Sequence, residues 1–230
     1  MPLILNIDTA TSYGAAGLSA DGTIIAFKES GSQMEHASFL QPAIAQLMRE
    51  AGRLLKDIDA VAVTIGPGSY TGLRVGLASA KGLCYALGKP LLTVNTLQVM
   101  ALASVEEYLS GLPQILLAPL FCPMIDARRM EVFTALYNLD GGEVMAPQAL
   151  IIDENIFASK LQQHQIICSG NGAFKVKAFI TNPSITILSC QHRIHQLAVL
   201  ALAKYQLHRF SDIAYCEPLY LKAFHTFSKK

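Results

Sequence analysis

The chain of 230 residues contains no tryptophan, and only 15% of it is Asp, Glu, Lys or Arg. Its charges nearly cancel, leaving a formal net charge of +1. That balance lacks the basic domain or stripe by which a protein grips nucleic acid through its own field. The five cysteines, Cys84, Cys122, Cys168, Cys190 and Cys216, show no C-x-x-C spacing and are odd in number, which argues against a disulfide framework or a zinc knuckle. No apolar run reaches the ~18 residues that a membrane-spanning helix needs. The nearest, Leu112–Phe121, is broken by Pro113 and Pro119. The N-terminus, Met1-Pro2-Leu3-Ile4-Leu5-Asn6, has no basic n-region and runs directly into strand-like sequence, so a cytoplasmic protein without a membrane partner is expected.

Apolar residues are abundant, at 52% of the chain, enough to bury a real core and to leave sticky surface in need of a cover. The most informative stretch is Ile65-Gly66-Pro67-Gly68-Ser69-Tyr70-Thr71-Gly72-Leu73-Arg74-Val75-Gly76. It follows the strand-like run Ala60–Ile65 and opens a helix-like segment. Its glycines suit a tight strand-to-helix crossing that either cradles an anion or lets a neighbour pack closely. It lacks the Lys of a P-loop and the frame of a nucleophile elbow.

Periodicity predicts strands over Leu3–Asp8, Gly14–Ser19, Thr23–Glu29, Ala60–Ile65 and Leu91–Val94, with helices over Ser38–Ala51, Thr71–Leu87 and Leu97–Leu109. The second half repeats the order. Strands are predicted over Leu120–Asp126, Glu131–Tyr137, Val144–Ile152, Gln165–Cys168 and Ile185–Leu188, and helices over Glu154–Gln162, Ala173–Phe179 and His192–His208. Both halves read βββαβαβα, the signature of a duplication. Asp8 and Asp126 each end the first strand of a half, and Gly66-Pro67-Gly68 and Gly170-Asn171-Gly172 each follow the fourth. Two facing lobes would bring both aspartates and both glycine turns to one central cleft.

These residues resemble the bacterial TsaB/YeaZ family. The resemblance rests on Leu5-Asn6-Ile7-Asp8-Thr9-Ala10-Thr11, the block from Gly66 to Lys81, Asp126-Ala127-Arg128-Arg129-Met130-Glu131-Val132-Phe133, and Glu217-Pro218-Leu219-Tyr220-Leu221-Lys222. It implies an α/β fold of the duplicated actin/hexokinase/Hsp70-like (ASKHA) kind with two βββαβαβα lobes, residues 1–110 and residues 111–230 with a C-terminal tail. It further implies a non-catalytic subunit of the complex that makes N6-threonylcarbamoyladenosine on tRNA. TsaD would be the catalytic partner, TsaE an accessory ATPase and tRNA an indirect partner, while a homodimer would form when TsaD is absent. The runner-up is an ATP-dependent kinase or ATPase of the same fold, and a third reading is a metalloprotease.

A metal site is not expected. TsaD carries histidines at i and i+4 of the equivalent first helix, whereas here His36 is followed by Leu40, and a metal needs more ligands than one imidazole. His192 and His195 are expected to be solvated residues at a helix start, and Lys229-Lys230 a frayed tail. No cofactor is expected either. If the cleft or the complex interface did take a nucleotide, the fold assigns Asp8, Thr9 and Thr11 to the phosphates, with Gly66 and Gly68 beside them. Asp126 would hold a hydrated Mg²⁺, and Gly170 and Gly172 would leave room for adenosine. No residue stands out that would polarise the attacking water of an ATPase.

The positive signal lies on two helices, 38–51 and 71–87. On the second, Leu73, Leu77, Ala80, Cys84 and Leu87 form a core stripe, while Val75, Ser79, Gly82 and Ala86 repeat the same spacing on another side, small and mostly apolar where a solvated face would be charged. Tyr70, Arg74, Ala78 and Tyr85 complete that outer surface. On the first helix Phe39, Leu40, Ala43, Ile44, Leu47, Met48 and Ala51 cover about half the circumference, against the ~100° that one core contact needs. Phe39, Leu40, Ala43, Leu47 and Met48 are therefore expected, with the outer surface of the second helix, to bind a partner. The resemblance makes that partner TsaD or a second copy.

Overall fold

The computed structural model describes residues 1–30, 36–111, 117–153, 156–177 and 182–222. Glu154, residues 178 and 179, the Leu112 end of the longest apolar run and Lys229-Lys230 lie outside the described residues.

The first half builds β1 (Leu3–Asp8), β2 (Gly14–Ala20), β3 (Thr23–Ser30), α1 (His36–Glu50), β4 (Ala60–Thr64), α2 (Tyr70–Leu87), β5 (Leu91–Val94) and α3 (Thr96–Ser110). The second builds β6 (Ala118–Asp126), β7 (Glu131–Tyr137), β8 (Glu143–Ile151), β9 (His164–Ser169), α4 (Phe174–Lys177), β10 (Ile185–Leu188) and α5 (Ile194–Gln206). Two five-stranded sheets result, β3-β2-β1-β4-β5 and β8-β7-β6-β9-β10. In each, the hairpin-linked strands are antiparallel, and the strands reached by crossovers are parallel. The duplicated order read from the sequence is thus duplicated topology.

β1 and β4 are buried along their whole length, as expected of parallel neighbours covered on both faces. On one side of the first sheet lie α1 and α2, with Leu40, Ala43, Ile44, Leu47, Leu77, Ala80 and Cys84 in one core with Leu5, Ile7, Leu18 and Val63. On the other side lies α5, which places Ala201 against Ile4, Ala60, Ala62 and Leu92, and Ile194 and Leu197 against Tyr13 and Ala15. α3 packs instead on the second sheet, with Leu97, Met100 and Ala101 against Ile125, Ala135 and Tyr137. The last helix of each half therefore crosses to the other half's sheet, and α3 and α5 touch between the sheets. Among the described residues, no helix is long and apolar enough to cross a membrane.

The helix expected over Glu154–Gln162 needs correction. Its described part, residues 156–162, is a run of turns. Phe157 is buried there, but the backbone mixes i+3 and i+4 bonds, Lys160 N to Phe157 O at 2.9 Å and Leu161 N to Phe157 O at 3.0 Å, without a sustained apolar stripe to fix a helix. The last helix starts at Ile194 rather than His192, because His192 is engaged elsewhere.

Candidate functional site

The glycine block holds helix α2 against the turn after β1. Ser69 caps α2 by accepting a hydrogen bond from Gly72 N at 3.3 Å, and its own amide donates to Ala10 O at 2.7 Å. The Thr9 hydroxyl donates to Gly72 O at 2.7 Å. A Cβ at Gly68 would overlap the Ala10 carbonyl, one at Gly72 the Thr9 carbonyl, and one at Gly76 the Thr9 hydroxyl. Gly66, at φ 116°, faces the C-terminal tail: a Cβ there would lie 2.7 Å from Leu219 O, and Leu219 N donates to Ile65 O at 2.7 Å. Of the alternatives left open by the sequence, close packing is the one realised. Thr9 is fully buried with its hydroxyl committed to Gly72 O, so it has none to offer a phosphate, and Gly66 and Gly68 serve close contacts with the C-terminal tail and with the turn after β1.

Asp8 is fully buried. Oδ1 accepts from Ala10 N at 3.1 Å and from the Thr64 hydroxyl at 2.8 Å, and Oδ2 lies 3.0 Å from His192 Nε2. Burial alone would raise its carboxyl, but the His192 hydrogen bond and charge, the Ala10 amide and the Thr64 hydroxyl together hold it below the ordinary range. An acceptor-only carboxylate makes Nε2 the protonated nitrogen. His192 is therefore not a solvated helix-start residue. It is 5% exposed and stands edge-on to Tyr13 with ring centroids 5.5 Å apart. His195 is exposed, 3.5 Å from Glu106.

Asp126, expected to hold a hydrated cation, already faces one. Lys175 Nζ, on α4, reaches its Oδ1 at 2.6 Å, and Arg128 N donates to the same oxygen at 2.6 Å. The Lys175 hydrogen bond holds this carboxyl below its usual range. Neither carboxylate therefore stands ready for a Mg²⁺-nucleotide: Asp8 is sealed against His192, and Asp126, 44% exposed, is paired with Lys175. Among the described residues no three His, Cys, Asp or Glu side chains converge. His36 is buried, with Nε2 2.8 Å from Thr11 O.

A cleft of about 300 Å³ does exist, lined by Thr11, Met100, Gly170, Asn171, Phe174 and His192 among others, with no Asp, Glu, Lys or Arg among the described residues of its wall. Thr11 and Gly170 come together there, and Asp126 N donates to Asn171 Oδ1 at 2.9 Å. Gly170 borders the open cleft, while a Cβ on it would overlap Met124 O and one on Gly172 would lie 2.9 Å from Val132 Cγ1, so both glycines are required by packing against the second sheet.

The two helices divide differently than expected. Leu40, Ala43, Leu47 and Met48 are buried in the chain's own core, and Phe39 packs partly against it. The wide apolar face of α1 is explained by its seat on β2 and β3. On α2 the stripe Leu73, Leu77, Ala80 and Cys84 is buried. Arg74, Ala78, Gly82 and Ala86 are exposed, and Val75 and Ser79 are half-exposed. Tyr85 is 85% exposed, and a Cβ on Gly82 would meet nothing within 4 Å. The Ser79 hydroxyl accepts from Gln41 of α1 at 2.9 Å.

The C-terminal tail borders this surface. Arg74 Nε donates to the Tyr220 hydroxyl at 3.0 Å while its guanidinium lies 4.0 Å from the Tyr70 ring centroid. Lys81 Nζ donates to Ala214 O and Cys216 O at 3.3 and 3.1 Å, and Lys222 pairs with Glu131. Sequence reasoning missed Lys175, His192 and Tyr220 as partners of Asp126, Asp8 and Arg74. Their separations of 49, 184 and 146 residues leave no local pattern to read.

Residues 30–216 match the family described as TsaD, tRNA N6-adenosine threonylcarbamoyltransferase. The tRNA threonylcarbamoyladenosine biosynthesis protein TsaB of Escherichia coli (strain K12) is 37% identical over 137 residues, 60% of this chain and 55% of that protein. The protein of the same name from Bacillus subtilis (strain 168) is 31% identical over 153 residues, 66% of this chain and 61% of that protein. The matched stretches thus span little more than half the length of these curated relatives. A solved Pseudomonas aeruginosa protein, described as uncharacterized with similarity to peptidase YEAZ, superposes with a TM-score of 0.80 at 25% identity, covering 96% of this chain and 100% of that one. The paired sheets are those of the duplicated actin/hexokinase/Hsp70-like fold. The chain belongs to the TsaD family and, within it, to the TsaB/YeaZ group.

Proposed function

We propose that this chain is a non-catalytic, activating subunit in the synthesis of threonylcarbamoyladenosine on tRNA, and that it works by docking TsaD on the outer surface of α2. Tyr70, Arg74, Val75, Ala78, Ser79, Gly82, Tyr85 and Ala86 form the docking face, with Phe39 at its border. The observation that carries the reading is this face itself: small residues around the open Gly82, between the Tyr70–Arg74–Tyr220 cluster and the exposed Tyr85. Small side chains let a second helix approach closely, and aromatic and arginine side chains are the usual anchors of interfaces. The names of the TsaB relatives support the pathway.

In the same reading residues 1–110 and 111–230 are the two lobes, which exchange their last helices α3 and α5 across the sheets; the protein acts in the cytoplasm, TsaE joins the complex, tRNA is reached through TsaD, and a homodimer covers the α2 face when TsaD is absent. The kinase or ATPase alternative needs carboxylates available to a metal, and Asp8 and Asp126 are both engaged. The test is co-elution of the purified chain with TsaD, followed by tRNA modification with threonylcarbamoyl-AMP supplied. The reading requires a complex, modification that depends on this chain, and no ATP hydrolysis by the chain alone. ATP turnover that survives purification and is lost in Asp8→Ala would favour the alternative.

A further inference from the structure

We propose that Asp8 and His192 form a built-in clasp that takes the place of a metal nucleotide in holding the lobes together. Asp8 ends β1 of the first sheet, whereas His192 lies on the connection from β10 of the second sheet to α5. This connection is where the chain returns from the second sheet to cover the first. Its end is anchored to β1–β3 by neighbouring contacts of different chemistry. His192 meets Asp8 at 3.0 Å, Ile194 N donates to the Tyr13 hydroxyl at 3.2 Å, and Arg193 donates to both Glu29 oxygens at 3.0 and 3.1 Å. Gly17 makes room for Ile194, whose Cγ1 would lie 2.9 Å from a Cβ there.

The Asp8–His192 pair, at 0% and 5% side-chain exposure, and the Tyr13–Ile194 hydrogen bond are both buried, and of the two the first joins a pair of ionisable side chains. Arg193 and Glu29 are 48% and 39% exposed, so water screens them and they contribute little. A sealed carboxylate deprived of its donor is left desolvated and unpaired, which is far costlier than losing a surface contact. The imidazole also approaches Asp8 from the cleft, whose wall includes His192. A cation could reach Asp8 from that side only by displacing it. The clasp therefore fixes the lobes without a nucleotide, independently of what α2 binds.

The test is a double-mutant cycle on the full chain, followed by urea unfolding with and without excess Mg²⁺ and ATP. His192→Ala should shift the unfolding equilibrium by more than about tenfold. Asp8→Asn added to His192→Ala should recover most of that loss, because the orphaned charge is gone. His192→Gln, which keeps an N–H donor, should stay within about threefold of wild type. Mg²⁺ and ATP should leave the wild-type midpoint unmoved, and hydrogen exchange at residues 189–194 should rise in His192→Ala. If His192→Ala does not fold but His192→Gln and the double variant do, the clasp stands. The clasp is overturned by additive effects, by failure of all these variants to fold, or by stabilisation of the wild type by Mg²⁺ and ATP.

Discussion

Alanine replacing Gly72 and alanine replacing Gly82 should change stability in opposite directions, although both glycines lie in the same helix. Each substitution gains about 1 kcal/mol of helix propensity. At Gly82 nothing lies within 4 Å of the new methyl, so the gain should be kept, raising Tm by about 2–4 °C for a chain of this size. At Gly72 the methyl would overlap the Thr9 carbonyl, a backbone atom that cannot rotate away. Moving α2 off the β1–β2 turn costs about 1–3 kcal/mol of overpacking. It also lengthens the Thr9 hydroxyl to Gly72 carbonyl bond, worth about 1 kcal/mol. The net expectation is a loss of about 1–3 kcal/mol, with Gly76→Ala behaving likewise against the Thr9 hydroxyl. Urea unfolding at low protein concentration measures both signs. Equal stabilisation of Gly72→Ala and Gly82→Ala would refute the reading of the block as a packing device and reopen it as an anion cradle.

Other consequences are directly measurable. Asp8 titrates below its ordinary value in the fold, so its contribution to stability is complete above the unfolded carboxyl pKa of about 3.9 and is lost as pH falls through the folded pKa; the pH dependence below that value should flatten in Asp8→Asn. Burial pushes the Cys84 thiol up to about 11 and raises Cys190 and Cys216 as well, so native protein should react substoichiometrically with a thiol reagent at neutral pH and fully once denatured. Light scattering at high micromolar concentration should give a dimer, since an exposed docking face without TsaD invites self-association; a monomer there would count against the face.

The sheets were legible in the sequence because strand burial is a local property. Leu3–Asp8, Glu131–Tyr137 and Ile185–Leu188 have the bounds that their apolar runs predict, and the repeated order of elements sufficed for the duplicated topology. The site was less legible. Helical periodicity located an excess of apolar surface on α1, yet Leu40, Ala43, Leu47 and Met48 are fully used by a sheet that the helix crosses, and the count of apolar positions carries no information on the width of that contact. Asp8 and Asp126 stood out by their place at strand ends. Their neutralising partners, His192 and Lys175, come from the far end of the chain and from a short helix, and only tertiary structure pairs them. The glycine block was found for its spacing, and its use depends on the Thr9 and Ala10 carbonyls that face it.

The central claim, docking through α2, is tested most directly by Gly82→Arg. The position opens to solvent and lies apart from Leu73, Leu77 and Cys84, so the fold should survive, as thermal unfolding and circular dichroism would register. A long cation pushed into the helix contact would cost several kcal/mol, reducing a micromolar association by about a thousandfold. The measurement is tRNA modification by the reconstituted enzymes, alongside co-elution with TsaD. The account predicts loss of both with the fold intact; a folded Gly82→Arg that binds TsaD and supports full modification would contradict it.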